Sequence, residues 1–169
     1  MQDIDIRTVT AGDIPALLEL LREFAEYEEL LAYLEVDRER LNTALFSQGA
    51  TAEGLIAFAD GQAIGYAFFF PSFGSFRGQR GFYLEDIYVK ESYRGKGVGE
   101  KMLRELARLA ASRGYERIDF VVLDWNTSAI GFYKKLGAEM DQSERRFKFT
   151  DDAFRSLAGA PEDFPANRR

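Results

Sequence analysis

Apolar positions along this chain fall into helical stripes and short strand-like runs in a regular order. Ile14, Leu17, Leu18, Leu21 and Ala25 recur every three to four residues, with Asp13 as a cap and Pro15 in the first turn, which predicts a helix to about Glu29. Asp37 caps a second helix through about Phe46. Met102, Leu103, Leu106, Leu109 and Ala110 form the stripe of a third over Glu100 to Arg113, and Thr127 to Leu136 makes a short fourth. Ile4 to Arg7 alternates weakly as a first strand. Leu55 to Ala59 and Ala63 to Phe70 flank Asp60-Gly61, the signature of a tight hairpin. Strands follow at Phe82 to Val89 and Arg117 to Leu123, with a final pair around Ala138 and Phe147. The order β-α-α-β-β-β-α-β-α-β-β predicts an α/β chain, a mixed sheet with helices on both sides.

Composition narrows the chemistry. The 169 residues fit one domain, predicted over 1–158, with a proline-containing tail over 159–169 that is frayed or pinned to a partner. There is no cysteine and no histidine, so disulfides, thiolate metal sites and the usual general base are absent. Acid–base work must use Glu, Asp, Tyr, Lys or water. The remaining carboxylates are scattered, so no metal is implied. The acidic start lacks a secretory pattern and no apolar run is long enough to span a membrane, so the expected location is cytoplasmic, away from membranes. Residues 1–60 carry 13 acidic and 4 basic side chains, whereas residues 61–120 carry 7 and 10. The acidic front would repel nucleic acid and favour a cationic partner, while the basic excess surrounds a glycine-rich loop.

That loop, Tyr93-Arg94-Gly95-Lys96-Gly97-Val98-Gly99, leaves an apolar strand and enters the Glu100 helix. Alternate glycines let the backbone pass close to a ligand with its N–H groups unobstructed. A helix N-terminus adds free donors and the positive end of the dipole, and Arg94 and Lys96 add two cations. The combination suits a phosphate or pyrophosphate, hence a phosphorylated cofactor. It is not a nucleotide-hydrolase loop, because Gly99 is followed by Glu100 and Lys101 with no hydroxyl for magnesium. Nor is it a dinucleotide fingerprint, since the third glycine comes one residue early and more than half the chain precedes it.

Arg94, Gly97 and Gly99 match the R/Q-x-x-G-x-G/A pyrophosphate loop of the GNAT acyl-CoA-dependent N-acetyltransferases, which this sequence resembles from about Ile4 to Phe149. Tyr83-Leu84-Glu85-Asp86-Ile87-Tyr88-Val89, Trp125-Asn126 and Phe132-Tyr133-Lys134-Lys135-Leu136-Gly137-Ala138 make it similar in particular to the diamine (spermidine/spermine) and thialysine N-acetyltransferases. The resemblance implies the GNAT fold, a mostly antiparallel mixed sheet, with acetyl-CoA as cosubstrate and a homodimer joined through the C-terminal strands. It also implies a bulge in the Phe82 to Val89 strand and a splay from the Ile118 to Leu123 strand, opening a slot for the cofactor arm.

An amine attacking a thioester must first lose a proton from a group of pKa about 10.4, and the departing thiolate, of pKa about 8.5, must regain one. A carboxylate facing the amine and a tyrosine beside the sulfur suffice. The resemblance makes Glu85 the contact to the amine, directly or through a water acting as base, and Tyr133 the proton donor. Glu85 and Asp86 are adjacent in a strand and point to opposite faces, so Asp86 is either structural or a further hold on the substrate. Backbone groups of Ile87, Tyr88 and Val89 would meet the pantetheine and thioester. Residues Arg94, Gly95, Lys96, Gly97, Val98, Gly99 and Glu100 would meet the pyrophosphate, with Asn126, Thr127, Ser128 and Ala129 as further cofactor contacts; Asn126 is also placed to cap its helix. Tyr27, Glu28, Glu85, Asp86, Asp119, Phe120 and Val121 fall where the family contacts substrate. The family's glutamate run and tryptophan after Ala138 are replaced by Glu139-Met140-Asp141-Gln142-Ser143-Glu144-Arg145, which weakens the case for a long polyamine and opens that for a shorter diamine or a lysine-like amine, so the substrate class is a diamine, polyamine or lysine-like amine. A non-catalytic acyl-CoA sensor and a protein lysine or N-terminal acetyltransferase are the alternative functions.

Overall fold

A computed structural model describes residues 3–159, which divide between Val121 and Val122 into two compact units. The first unit holds a five-stranded sheet: β1 (Ile4–Thr8), β2 (Glu53–Ala59), β3 (Gln62–Gly74), β4 (Gln79–Val89) and β5 (Arg117–Asp119), in that spatial order. Every pair is antiparallel except β4–β5, which is parallel and joined by the crossover helix α3 (Val98–Ser112). Helices α1 (Ile14–Tyr27) and α2 (Arg38–Phe46) precede β2. The α/β class and the mostly antiparallel mixed sheet agree with the sequence reading.

Local chemistry explains the element ends. Asp60 and Gly61 both take left-handed backbone angles (φ 50° and 77°), the pair that a two-residue β2–β3 turn of the right twist requires. Asp37 accepts from the Arg40 N–H at 2.8 Å and caps α2 as expected. Asp13 does not cap α1 with its side chain. Its carboxylate is held by both Arg7 amines (2.7 and 2.8 Å) and by the Thr10 N–H (2.8 Å) instead.

The sheet carries a core on each face. Val98, Met102, Leu106 and Ala110 of α3 pack over Leu55, Ala57, Ala67, Phe69, Phe82 and Leu84. Ile14, Leu17, Leu20 and Leu21 of α1, with Leu41 of α2, pack over Ile56, Tyr66 and Tyr88 on the other. Burying each such side chain is worth about 1.5–3 kcal/mol, so these two layers hold the strands against twisting apart. β3 and β4 run past the end of β2, whose pairing stops at Phe69; there Pro71 sits on an edge where its missing N–H costs nothing.

Two strand expectations fail. The strand predicted over Arg117 to Leu123 forms only at Arg117–Asp119. In the second unit, α4 (Thr127–Lys135) forms as predicted, but no strand forms around Ala138 or Phe147 among the described residues. Asp141 there bonds the Ser143 N–H and hydroxyl (2.7 and 2.6 Å), and Arg145 donates to the Gln142 and Glu144 carbonyls. Such local bonds occupy the groups a ladder would need. An unpredicted helix, α5 (Asp151–Ala158), follows. Beyond Gly159, the predicted tail lies outside the described residues. No helix among the described residues is long and apolar enough to cross a membrane.

Candidate active site

The centre of β4 is irregular. Asp86 lies opposite Phe68 while Leu84 lies opposite Phe69, so Glu85 is an extra residue with no partner on β3. This bulge reverses the alternation. Phe82 and Leu84 face α3 before it, and Ile87 and Val89 face α3 after it. Asp86 therefore shares the α1 face with Tyr88, its neighbour two residues on. Plain alternation would have placed Asp86 beside Leu84. Beyond Tyr83 and Asp119 no strand pairs with the second edge of β4 among the described residues. From Leu84 to Val89 that edge therefore has no strand partner among the described residues, and the bulge stands where the resemblance implies one.

Asp86 is half-buried, opposite Phe68 and two residues from Tyr88, and Glu85 is exposed. Burial, then the charges of Glu85 and Glu28, push the Asp86 carboxyl up to about 7. Glu28, just past the end of α1, is also raised by burial. Glu23 on α1 accepts from the Tyr88 hydroxyl (3.3 Å) and pairs with Lys90 (2.9 Å), so its charge is matched. Glu28, Glu85 and Asp86 form the unmatched acidic group of this region, suited to a cationic amine.

The glycine loop adjoins it. Gly95 and Gly97 have φ of 72° and 80°, and a Cβ added at either would meet no protein atom within 4 Å. Open space beside a left-handed backbone is the cradle an anion needs. Gly97 begins α3 with no side-chain cap, and the first helical bond is Lys101 N–H to the Gly97 carbonyl (3.0 Å), which leaves the preceding N–H groups of Val98, Gly99 and Glu100 for a ligand. The Glu100 carboxylate is drawn away by Arg104 at 2.7 Å. Arg94 donates to the Val89 carbonyl (3.0 Å) and lies 4.2 Å over the Tyr27 ring and 5.6 Å from that of Tyr88. Lys96 lies 5.1 Å from the Tyr93 ring. This donor set fits the pyrophosphate of a coenzyme A thioester.

Arg94 thus brings Tyr27 and Tyr88 to the loop, one cluster within the first unit. Asp119 stands at the end of β5, where Arg117 holds both carboxylate oxygens at 2.7 and 2.5 Å. Its charge is neutralised within the strand, unlike those of Glu28, Glu85 and Asp86. Phe120 and Val121 follow as non-strand backbone.

In the second unit, Asn126 caps α4 by accepting from the Ala129 N–H at 3.1 Å, and Thr127, Ser128 and Ala129 form the first turn. Tyr133 is half-buried beside Phe132, and burial pushes its phenol up to about 12.

One residue of this region escapes sequence reasoning. Tyr66 on β3 is fully buried and its hydroxyl has no hydrogen-bond partner. The signal was a tyrosine in the otherwise apolar run Ala63 to Phe70, which read as ordinary core.

A family model described as the acetyltransferase (GNAT) family matches residues 14–138. The chain is 37% identical over 171 residues to a thialysine N-epsilon-acetyltransferase of Bos taurus, covering 94% of this chain and 99% of that protein. It is 40% identical over 93 residues to an L-ornithine N5-acetyltransferase of Arabidopsis thaliana, covering 55% and 41%. An integron cassette protein from Vibrio cholerae shares the fold, with a TM-score of 0.79, 22% identity, and coverage of 95% of this chain and all of that one. The chain belongs to the acetyltransferase (GNAT) family and is an N-acetyltransferase.

Proposed function

We propose that the chain acetylates a primary amine of a small cationic molecule, a short diamine or a lysine-like amino acid, using acetyl-CoA in a ternary complex. The observation that carries this reading is Arg94. Its guanidinium ties the anion-binding loop to Tyr27, beside the unmatched carboxylates Glu28, Glu85 and Asp86. An anionic cofactor and a cationic substrate thereby acquire adjoining sites of opposite charge. The similarity to thialysine and ornithine acetyltransferases supports a substrate that carries an amino-acid or diamine skeleton.

When bound, acetyl-CoA supplies the activated acyl group. The chain's own residues do the rest. Val98, Gly99 and Glu100 N–H groups with Arg94 and Lys96 would hold the pyrophosphate, and the family resemblance adds Asn126, Thr127, Ser128 and Ala129 as cofactor contacts. The unpaired edge of β4 at Ile87, Tyr88 and Val89 would offer backbone bonds to the pantetheine, one of the N–H groups being a donor for a thioester oxygen. Glu85, exposed at the bulge, receives the ammonium. Asp86, titrating near neutrality, is the better-matched acceptor for its proton. Tyr133 would hold the proton that a leaving thiolate needs. Tyr27, Phe120 and Val121 line the amine's carbon chain; Asp119, already paired with Arg117, contributes shape more than charge. The acetyltransferase domain would span 1–158 and act in the cytoplasm as a homodimer.

A thiol-release assay with acetyl-CoA against diamines, polyamines, ornithine, thialysine, lysine and a lysine peptide tests the reading. Turnover of free diamines or lysine-like amino acids is expected. Turnover of the peptide alone would replace it with a protein acetyltransferase. Light scattering that gives a monomer would remove the dimer.

A further inference from the structure

Tyr66 and Tyr88 are direct cross-strand partners on the α1 face, yet their hydroxyls end differently. That of Tyr88 donates to Glu23 at 3.3 Å. That of Tyr66 is fully buried and bonds to nothing, although its ring is packed by Phe68 (4.8 Å), Tyr88 (6.3 Å) and Phe24 (6.4 Å). An orphaned buried hydroxyl is costly, and a phenylalanine would keep every ring contact without the cost. A carboxylate on the same face is the nearest candidate acceptor for it.

The register identifies that partner. Asp86 lies opposite Phe68, which makes it the diagonal neighbour of Tyr66 on the same face, within reach of a tyrosine side chain. The bulge at Glu85 is what puts it there. Asp86 is also the first of the charges acting on the Tyr66 hydroxyl, ahead of Glu28 and Tyr88. We propose that Tyr66 is a positioning residue for Asp86, its hydroxyl being the hydrogen-bond donor that the carboxylate takes up when it ionises. The charged form accepts the stronger bond, and with it the carboxylate gains a fixed donor and a fixed orientation toward an incoming ammonium. The catalytic consequence rests on the amine-acetyltransferase reading; the contact itself does not.

The groups facing Asp86 are Glu28 and Glu23 at the end of α1, Tyr66 on β3, and Glu85 and Tyr88 on β4, with Lys90 and Arg94 engaged by Glu23 and by the tyrosine rings. None of them but Tyr66 is a donor without a partner on this face.

The test is carbon-13 titration of the Asp86 carboxyl in the full chain and in Tyr66→Phe, together with pH profiles of kcat/KM for the best amine. Loss of a hydrogen bond to a charged group should raise the Asp86 midpoint by about one pH unit. The acidic limb of kcat/KM should rise with it, while affinity for CoA stays unchanged. In an Asp86→Asn background the Tyr66→Phe change should leave the profile alone. An unshifted midpoint in folded Tyr66→Phe overturns the proposal, whatever the activity. A shifted midpoint with no amine turned over upholds the contact and sinks the amine reading instead.

Discussion

The Arg94 guanidinium rests 4.2 Å over the ring of Tyr27, so the last turn of α1 braces the first cation of the glycine loop. A cation–π contact of this exposed kind is worth about 0.5–1 kcal/mol. Arg94→Ala should weaken CoA binding about tenfold by removing a charge-assisted phosphate contact. Tyr27→Ala should weaken it about two- to fivefold, because the guanidinium loses its platform, and Tyr27→Phe should restore it. Calorimetry with CoA decides; wild-type affinity in Tyr27→Ala would show that the brace does not matter.

Gly97 makes the same loop sensitive to backbone strain. At φ 80° an L side chain is disfavoured even though no atom crowds it. Gly97→Ala should lower stability by about 1–2 kcal/mol and reduce CoA affinity further by turning the N–H groups away. Gly131→Ala is the control. It lies inside α4 with ordinary helical angles and an unobstructed Cβ position, so it should be neutral or stabilise by up to about 1 kcal/mol. Thermal melts that ranked the two alike would contradict the strain argument.

Asp86 gives the fold a pH dependence of definite sign. Its folded carboxyl titrates at about 7, against about 3.9 unfolded. Between those values the unfolded chain has lost a proton that the folded chain keeps, so stability falls as pH rises through the window and is flat above it. Asp86→Asn removes the loss. The variant should nearly match wild type at pH 4 and exceed it at pH 8.5 by on the order of 4 kcal/mol, read from urea melts. Asp13 works in the opposite direction: Arg7 holds it well below the carboxylate range, so its contribution disappears only in acid. Equal stability of Asp86→Asn and wild type at pH 8.5 would mean that Asp86 is ionised without penalty.

Periodicity made α1, α2, α3 and the β2–β3 hairpin legible because each has one buried stripe and a local stop signal, such as Asp37 or Asp60-Gly61. The glycine loop was legible for the same reason: its chemistry is local. What escaped depends on distant partners. β5 stops at Asp119, where pairing with β4 ends, although the apolar run continues to Leu123. The residues around Ala138 and Phe147 look strand-like, but side-chain bonds from Asp141 and Arg145 claim their backbone. The bulge at Glu85 has no signature in composition; only the family resemblance raised it. One extra residue there moved Asp86 to the face of Tyr66, and no alternation rule could have found that pair.

Tyr133 allows a separation of binding from chemistry. Its phenol is held up to about 12 by burial, so it carries its proton throughout the range in which such an enzyme is assayed. Removing a general acid typically costs about 10²–10⁴ in rate. Tyr133→Phe keeps the ring that packs beside Phe132, so the melting curve and the affinity for CoA should stay at wild-type values while kcat falls at least about a hundredfold. The wild-type rate should show no basic limb from Tyr133 below pH of about 11, and any fall nearer neutrality must come from another group. A variant that retained full kcat would leave the thiolate to take its proton from water, and Tyr133 would then be a packing residue of α4.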